Sequence, residues 1–186
     1  SALSYRFVEQ PIRRNGIAGL RRAFATFDGK WREHPAQTIA AWVGVVAVVA
    51  PLRRKLAQQE LGPKRLLDVG SGAGLPGVVL AICCPDLKVD CVDTVAKKAS
   101  FIQQAALSLG LANLRGLHAR VESLTAAYQV VSARAFSSLP DLVAGSDKAL
   151  LSGGVWMAMK GQTPDAEIAA LPADVEVFHV EPLVVP

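Results

Sequence analysis

The sequence predicts an α/β fold built on a doubly wound, mostly parallel sheet. From Lys64 onward, short β-branched runs alternate with helical stretches, the rhythm of strands joined by crossover helices that cover both faces. The first of those strands runs straight into a glycine-rich turn, and a proline-headed helix follows. The chain has 186 residues, 51% hydrophobic and 19% charged, enough to bury a sizeable core. That composition excludes a disordered polymer, a collagen-like repeat and a disulfide-stapled miniprotein.

Taken in order, Lys64–Val69 reads as the first strand and Pro76–Cys84 as the helix behind the turn, ended by Pro85. Val89–Val92 is the second strand. Val95–Leu109 is a helix whose apolar positions include Phe101, Ile102, Ala105, Ala106 and Leu109. Leu114–Ala119 and Tyr128–Ala133 are the third and fourth strands. A helix is expected near Leu139–Leu150, then a strand at Val155–Met159 behind Gly153-Gly154. A short helix near Pro164–Ala170 and a strand at Val175–Val180 close the pattern.

Residues 1–62 do not share this rhythm and are set apart as a basic N-terminal region, with residues 63–186 as the core. Residues 1–65 hold 12 Lys+Arg against 4 Asp+Glu, whereas residues 66–186 hold 8 against 12. A basic arm on a mildly acidic body suits a nucleic-acid enzyme, since Lys and Arg replace counterions on phosphate. It also suits the cytoplasmic flank of a membrane segment. Pro35–Leu52 is a run of 18 uncharged residues, at the lower edge of what spans a bilayer. A buried or interfacial helix over about 35–52 is preferred, and membrane contact there is possible but not favoured. No cleavable signal peptide is evident, because the apolar run begins too late. Cys83, Cys84 and Cys91 form no CxxC pair and read as small buried hydrophobes in a reducing compartment, so no metal site is expected. His34, His118 and His179 have no partner motif and read as structural.

The chemistry sits in Leu66-Leu67-Asp68-Val69-Gly70-Ser71-Gly72-Ala73-Gly74-Leu75-Pro76-Gly77. Glycines let the backbone turn tightly and approach a ligand, and Pro76 suits a helix's first turn. Two readings compete. Gly72-x-Gly74-x-x-Gly77, with Asp93 16 residues after it, matches a dinucleotide fingerprint. The tighter match is Asp-Val-Gly-x-Gly-x-Gly. Asp68 at the strand end would repel a pyrophosphate but suits an ammonium or water near a methionine moiety. S-adenosyl-L-methionine is therefore the preferred ligand. Asp93 can accept from ribose hydroxyls under either reading.

DVGSGAGLPG, VDCVDTVAKKASFIQ, HARVE, SARAFSSL and AMKGQTPDAEI together resemble the GidB/RsmG family over roughly Pro63–Pro186. Five motifs in order make this far more specific than the glycine turn alone. The resemblance implies a class I, Rossmann-like S-adenosylmethionine-dependent methyltransferase acting on guanine N7 of bacterial 16S ribosomal RNA. It implies that Gly70 and Leu75 contact the cofactor, that Gly72 and Gly74 shape the loop, and that Val121 and Glu122 lie against the adenosine part. It places Arg134 at the cofactor and reacting centre, with Lys160 close by. Arg134 and Lys160 are the candidate catalytic residues. From the residues alone, Glu122 also fits a solvated helix start and Lys160 the solvated end of a strand. Guanine N7 has a free lone pair, so in-line placement matters more than a strong base, and Arg suits that edge of the base. The expected partner is 16S rRNA or the small ribosomal subunit, not DNA, for a cytoplasmic monomer. A small-molecule or protein methyltransferase, or an inactive fragment, is the alternative.

Two stretches depart from the family's pattern. SYRFVEQPIRR and the rest of residues 1–55 resemble the end of a membrane acyltransferase-3 protein instead of the family's helical lead-in. The chain also stops at Val184-Val185-Pro186, where the family continues with a return strand, so a missing last antiparallel strand and an exposed edge are expected.

Overall fold

The computed structural model describes residues 64–180. The expected apolar helix at about 35–52 and the acyltransferase-like residues 1–55 lie outside them. In order come β1 (Arg65–Val69), α1 (Gly77–Cys83), β2 (Lys88–Asp93), α2 (Ala96–Leu109), β3 (Leu114–His118), a 3-10 turn (Val121–Ser123) and β4 (Tyr128–Arg134). Then follow α3 (Leu139–Ser146), a second 3-10 turn (Asp147–Ala149), β5 (Leu150–Met159) and α4 (Asp165–Ala169).

The five strands form one sheet in the order β3-β2-β1-β4-β5, and every pair is parallel. The order reverses between β1 and β4, which opens a crevice at their carboxyl ends. Alternation along the strands sorts the two faces. Leu66, Asp68, Val89, Cys91, Val130 and Ser132 share the face under α1, where a Cβ on Gly77 would overlap Cys91 Sγ. On the same face a Cβ on Gly116 would overlap the carbonyl oxygen of Ala99 in α2, so β3 has no room for a side chain there. Leu67, Val69, Val92, Val131 and Ala133 form the opposite core with Leu142 of α3 and Val121. Asn113 ends the first layer: its Nδ2 donates to the carbonyls of Ala81, Cys84 and Leu87 at 3.0–3.2 Å and so fixes the exit of α1.

Three expectations change. The helix expected at Leu139–Leu150 ends at Ser146, whose hydroxyl donates back to the Leu142 carbonyl at 2.6 Å, and the chain passes into the 3-10 turn. β5 starts at Leu150, not Val155, because Leu150 pairs with Tyr128 before an irregularity that brings Val155 opposite Val130. Val175–Val180 is not a strand. Its β-prone residues gain nothing from an extended backbone unless a neighbouring strand offers its N–H and C=O groups, and none does among the described residues. Phe178 there is 66% exposed.

Candidate functional site

The site is assembled at the carboxyl ends of the strands. β1 ends at Val69, level with Val92 of β2 and Ala133 of β4. The chain then reverses through Gly70, Gly72 and Gly74, at φ +64°, +58° and +88°, a region a Cβ makes costly. Gly70 N and Ser71 N both donate to the Val92 carbonyl, at 2.9 and 3.3 Å, while Gly74 N and Leu75 N donate to that of Ser71. The turn is therefore pinned to β2 on one side and to its own start on the other. Gly70 is exposed, and a Cβ on it would stand 3.7 Å from the ring of Phe136, across the crevice from β4.

Asp68 lies under this turn and is fully buried. Its Oδ1 accepts from Ser132 Oγ at 2.9 Å, and its Oδ2 accepts from Gly77 N, the first amide of α1, at 3.1 Å. Burial pushes its carboxyl up from 3.8 to about 6, although the bonds from Ser132 and Gly77 and the Arg134 charge pull the other way. Its carboxylate thus faces the sheet–helix interface, where it ties β1, β4 and α1 together. Cys91 Sγ stands 4.0 Å from the same oxygen, and burial, with the Asp68 charge next, pushes its thiol well up. Of the other cysteines, Cys84 is buried and Cys83 half-buried.

Asp93 closes β2. Its Oδ2 accepts from Gly72 N at 3.1 Å and its Oδ1 from Val95 N at 2.9 Å, with Lys98 Nζ 3.4 Å away. One carboxylate therefore joins the glycine turn to the start of α2 and retains lone pairs for a further donor. Val121 is buried in the core cluster beside α3, while Glu122 is exposed and pairs loosely with Arg120 at 3.7 Å. His118 is exposed, with Nε2 3.1 Å from the Thr94 carbonyl.

Arg134 ends β4, half-buried and opposite Met159, the last residue of β5. Lys160 follows directly. Its Nζ lies 2.8 Å from Glu167 Oε1 and donates to the Phe136 and Ser137 carbonyls at 3.3 and 3.5 Å. Glu167 Oε2 accepts from Leu139 N at 2.7 Å, and the Lys160 bond, above all, holds the Glu167 carboxyl below its usual value. The fold thus brings the turn, Asp93, Arg134 and Lys160 to one edge, while Glu122 stays at the surface.

The sequence reading missed Ser132, Phe136, Gly77's steric role and Glu167. Ser132 had one available signal: a polar residue inside an otherwise apolar strand, which is stable there only with a partner. Among the described residues no group of His, Cys, Asp or Glu could hold a metal ion, and no helix is long and apolar enough to cross a membrane.

Residues 53–186 match the model of the GidB family, rRNA small subunit methyltransferase G. The chain belongs to this family. Its relatives include the ribosomal RNA small subunit methyltransferase G of Acidovorax ebreus, 63% identical over 146 residues covering 76% of this chain and 65% of that protein. That of Acidovorax sp. (strain JS42) is 64% identical over the same shares of both. The chain spans just under two thirds of the length of these relatives. The GidB match begins at residue 53 and lends the acyltransferase-3 resemblance of residues 1–55 no support. Among solved structures, coclaurine N-methyltransferase bound to N-methylheliamine and SAH is similar at a TM-score of 0.50, with 16% identity over 61% of this chain and 34% of that one. A structure assigned as a sarcosine dimethylglycine methyltransferase of Galdieria sulphuraria reaches 0.53, with 17% identity over 63% and 46%. At these identities the likeness speaks for the fold, that of class I methyltransferases. Every residue of the GidB turn, and of the strand ends around it, lies within the matched span.

Proposed function

We propose that this chain is the core of an S-adenosylmethionine-dependent methyltransferase that acts on N7 of a guanine in 16S ribosomal RNA. The observation that carries the reading is membership of the small subunit methyltransferase G family over a span that includes the whole crevice. The same membership favours S-adenosylmethionine over a dinucleotide at the glycine turn.

The residues present fit that cofactor. At Gly70 the crevice has exposed backbone, and a Cβ there would stand over it, in van der Waals contact with Phe136. Gly70, Gly72, Gly74 and Leu75 form the wall, Asp93 accepts from ribose hydroxyls, and Val121 and Glu122 border the adenosine. Asp68 acts from beneath, holding the turn against α1 through Gly77 N. When bound, S-adenosylmethionine supplies a sulfonium methyl group open to displacement by the lone pair of guanine N7. The protein then has to orient, not deprotonate, and no strong base is required of it. Arg134, at the end of β4, directs its guanidinium chemistry to the N7/O6 edge of the base or to the cofactor carboxylate. Lys160, on the next strand end, holds the loop that follows Arg134. Substrate RNA in the small subunit, a cytoplasmic location and a monomeric state complete the reading.

Calorimetric titration with S-adenosylmethionine, followed by labelled methyl transfer to small subunits lacking the modification, tests it. One-to-one binding is expected, together with transfer to 16S rRNA that Arg134→Ala reduces at least ten-fold. A well-folded chain that binds no S-adenosylmethionine, or labels a small molecule but no RNA, would overturn it.

A further inference from the structure

The carboxylate of Glu167 has both oxygens engaged, and its two partners belong to different parts of the site. Oε1 meets Lys160 Nζ at 2.8 Å, just past β5, and Oε2 takes the amide of Leu139, the first residue of α3, at 2.7 Å. Lys160 in turn donates to the carbonyls of Phe136 and Ser137. Between them these bonds hold the middle and the far end of the segment Ala135–Ser138, which links Arg134 to α3. That segment needs fastening. Ala135 adopts φ +53°, a left-handed conformation that a side chain disfavours, and its amide donates to the Met159 carbonyl at 3.1 Å. The result is a loop that sets Phe136 beside the open backbone of Gly70. The Lys160 and Glu167 side chains are 17% and 29% exposed, so the pair is partly shielded from water and holds a defined geometry.

We propose that Glu167 is a positioning residue for methyl transfer: through Lys160 and the Leu139 amide it locks the Ala135–Ser138 loop so that Arg134 and Phe136 face the crevice. This rests on the function proposed above. Glu167 touches neither cofactor nor substrate in this role, and the ammonium of Lys160 serves as a clamp on carbonyl oxygens. Phe136 supplies a flat apolar wall at the mouth, suited to a planar base.

Glu167→Gln keeps the volume and one acceptor while removing the charge. In this variant, S-adenosylhomocysteine affinity by calorimetry should stay within two-fold of wild type and the thermal midpoint should be nearly unchanged. The kcat for transfer to unmodified small subunits should fall at least ten-fold, with KM within three-fold. In amide NMR the Leu139 resonance should lose its carboxylate-bonded downfield shift, and the Ala135 and Leu139 amides, bonded to the Met159 carbonyl and to Glu167, should exchange faster. Lys160→Met, which leaves the Glu167 carboxylate in place, should give the same fall in kcat and faster exchange at Ala135, and the double variant should lose no more rate than either alone. Unchanged amide exchange in Glu167→Gln would overturn the positioning role whatever the activity. So would a rate loss that merely follows lost cofactor binding and a lowered midpoint. A wild-type chain that transfers no methyl overturns the functional reading instead, and the amide measurements still decide whether Glu167 locks the loop.

Discussion

Asp68 illustrates how one residue carries opposing demands. An acidic residue at the end of a buried strand is costly, and its carboxyl is pushed up to about 6 by burial. A raised carboxyl means that the folded chain holds its proton more tightly than the unfolded one between about pH 4 and 6. Stability from this group is therefore greatest at low pH and falls as pH rises through that window, by about 3 kcal/mol for a rise of this size. Asp68→Asn removes the titration while keeping an acceptor for Gly77 N. Urea unfolding of both proteins at pH 4 and pH 7 should show the stability difference moving by about 2 kcal/mol in the variant's favour at the higher pH, most of the full effect. A difference that stays constant would mean that Asp68 is charged in the fold at both values. The motif made Asp68 and Gly70 visible as a pair in the sequence. That the carboxylate turns inward, toward Ser132 64 positions away, is a consequence of strand pairing that no local pattern carries.

At the scale of elements, α1 lies close on the sheet because Gly77 leaves room for the Asp68 and Cys91 side chains and bonds the Asp68 carboxylate through its amide. A Cβ on Gly77 would come within 2.9 Å of Asp68 Oδ2 and overlap Cys91 Sγ, so Gly77→Ala must push α1 off the sheet or break the bond from its first amide. We expect a loss of about 1–3 kcal/mol in chemical unfolding, together with weaker cofactor binding. Gly161→Ala, where a Cβ would meet nothing within 4 Å, should be near neutral and serves as the control. Strand and helix positions through β4 follow from periodicity and the turn residues within a residue or two. The misjudged elements lie later. The end of α3 is set by the Ser146 back-bond, and the start of β5 by pairing with Tyr128. The absence of a strand at Val175–Val180 depends on the partner it lacks among the described residues.

Across the whole sheet, one carboxylate joins four strands. Asp90 of β2 takes two bonds from Arg115 of β3, at 2.7 and 2.8 Å, one from Arg65 of β1 at 3.0 Å and one from Tyr128 of β4 at 2.8 Å. The Arg65 guanidinium also lies 4.7 Å above the Tyr128 ring. Burial alone would push the Asp90 carboxyl up, but the bonds from Arg115, Tyr128 and Arg65 outweigh it and hold the group below its ordinary 3.8. The stability this gives is present above pH 3.8 and is lost as pH falls through the lower folded value. Asp90→Asn should cost about 2–3 kcal/mol at pH 7, the lower part of the range for a buried pair because the Arg115 side chain is 59% exposed. That cost should shrink below pH 4, and urea midpoints at pH 7 and pH 3 measure both. An equal cost at the two values would count against an ionised Asp90 as the pin.

The sequence by itself determined the fold class, the glycine turn, and the strand-end positions of Asp68, Asp93, Arg134 and Lys160. Each of these follows from local periodicity, from backbone torsions that only glycine tolerates well, or from five motifs in family order. Tertiary structure alone decided what those side chains face. Ser132 lies 64 residues from Asp68, Tyr128 lies 38 from Asp90 and Leu139 lies 28 from Glu167, so each bond exists only because parallel pairing and crossover helices return distant segments to one place. Hydrogen bonding and burial act over a few ångströms in space, and the chain order alone does not fix which residues come within that distance.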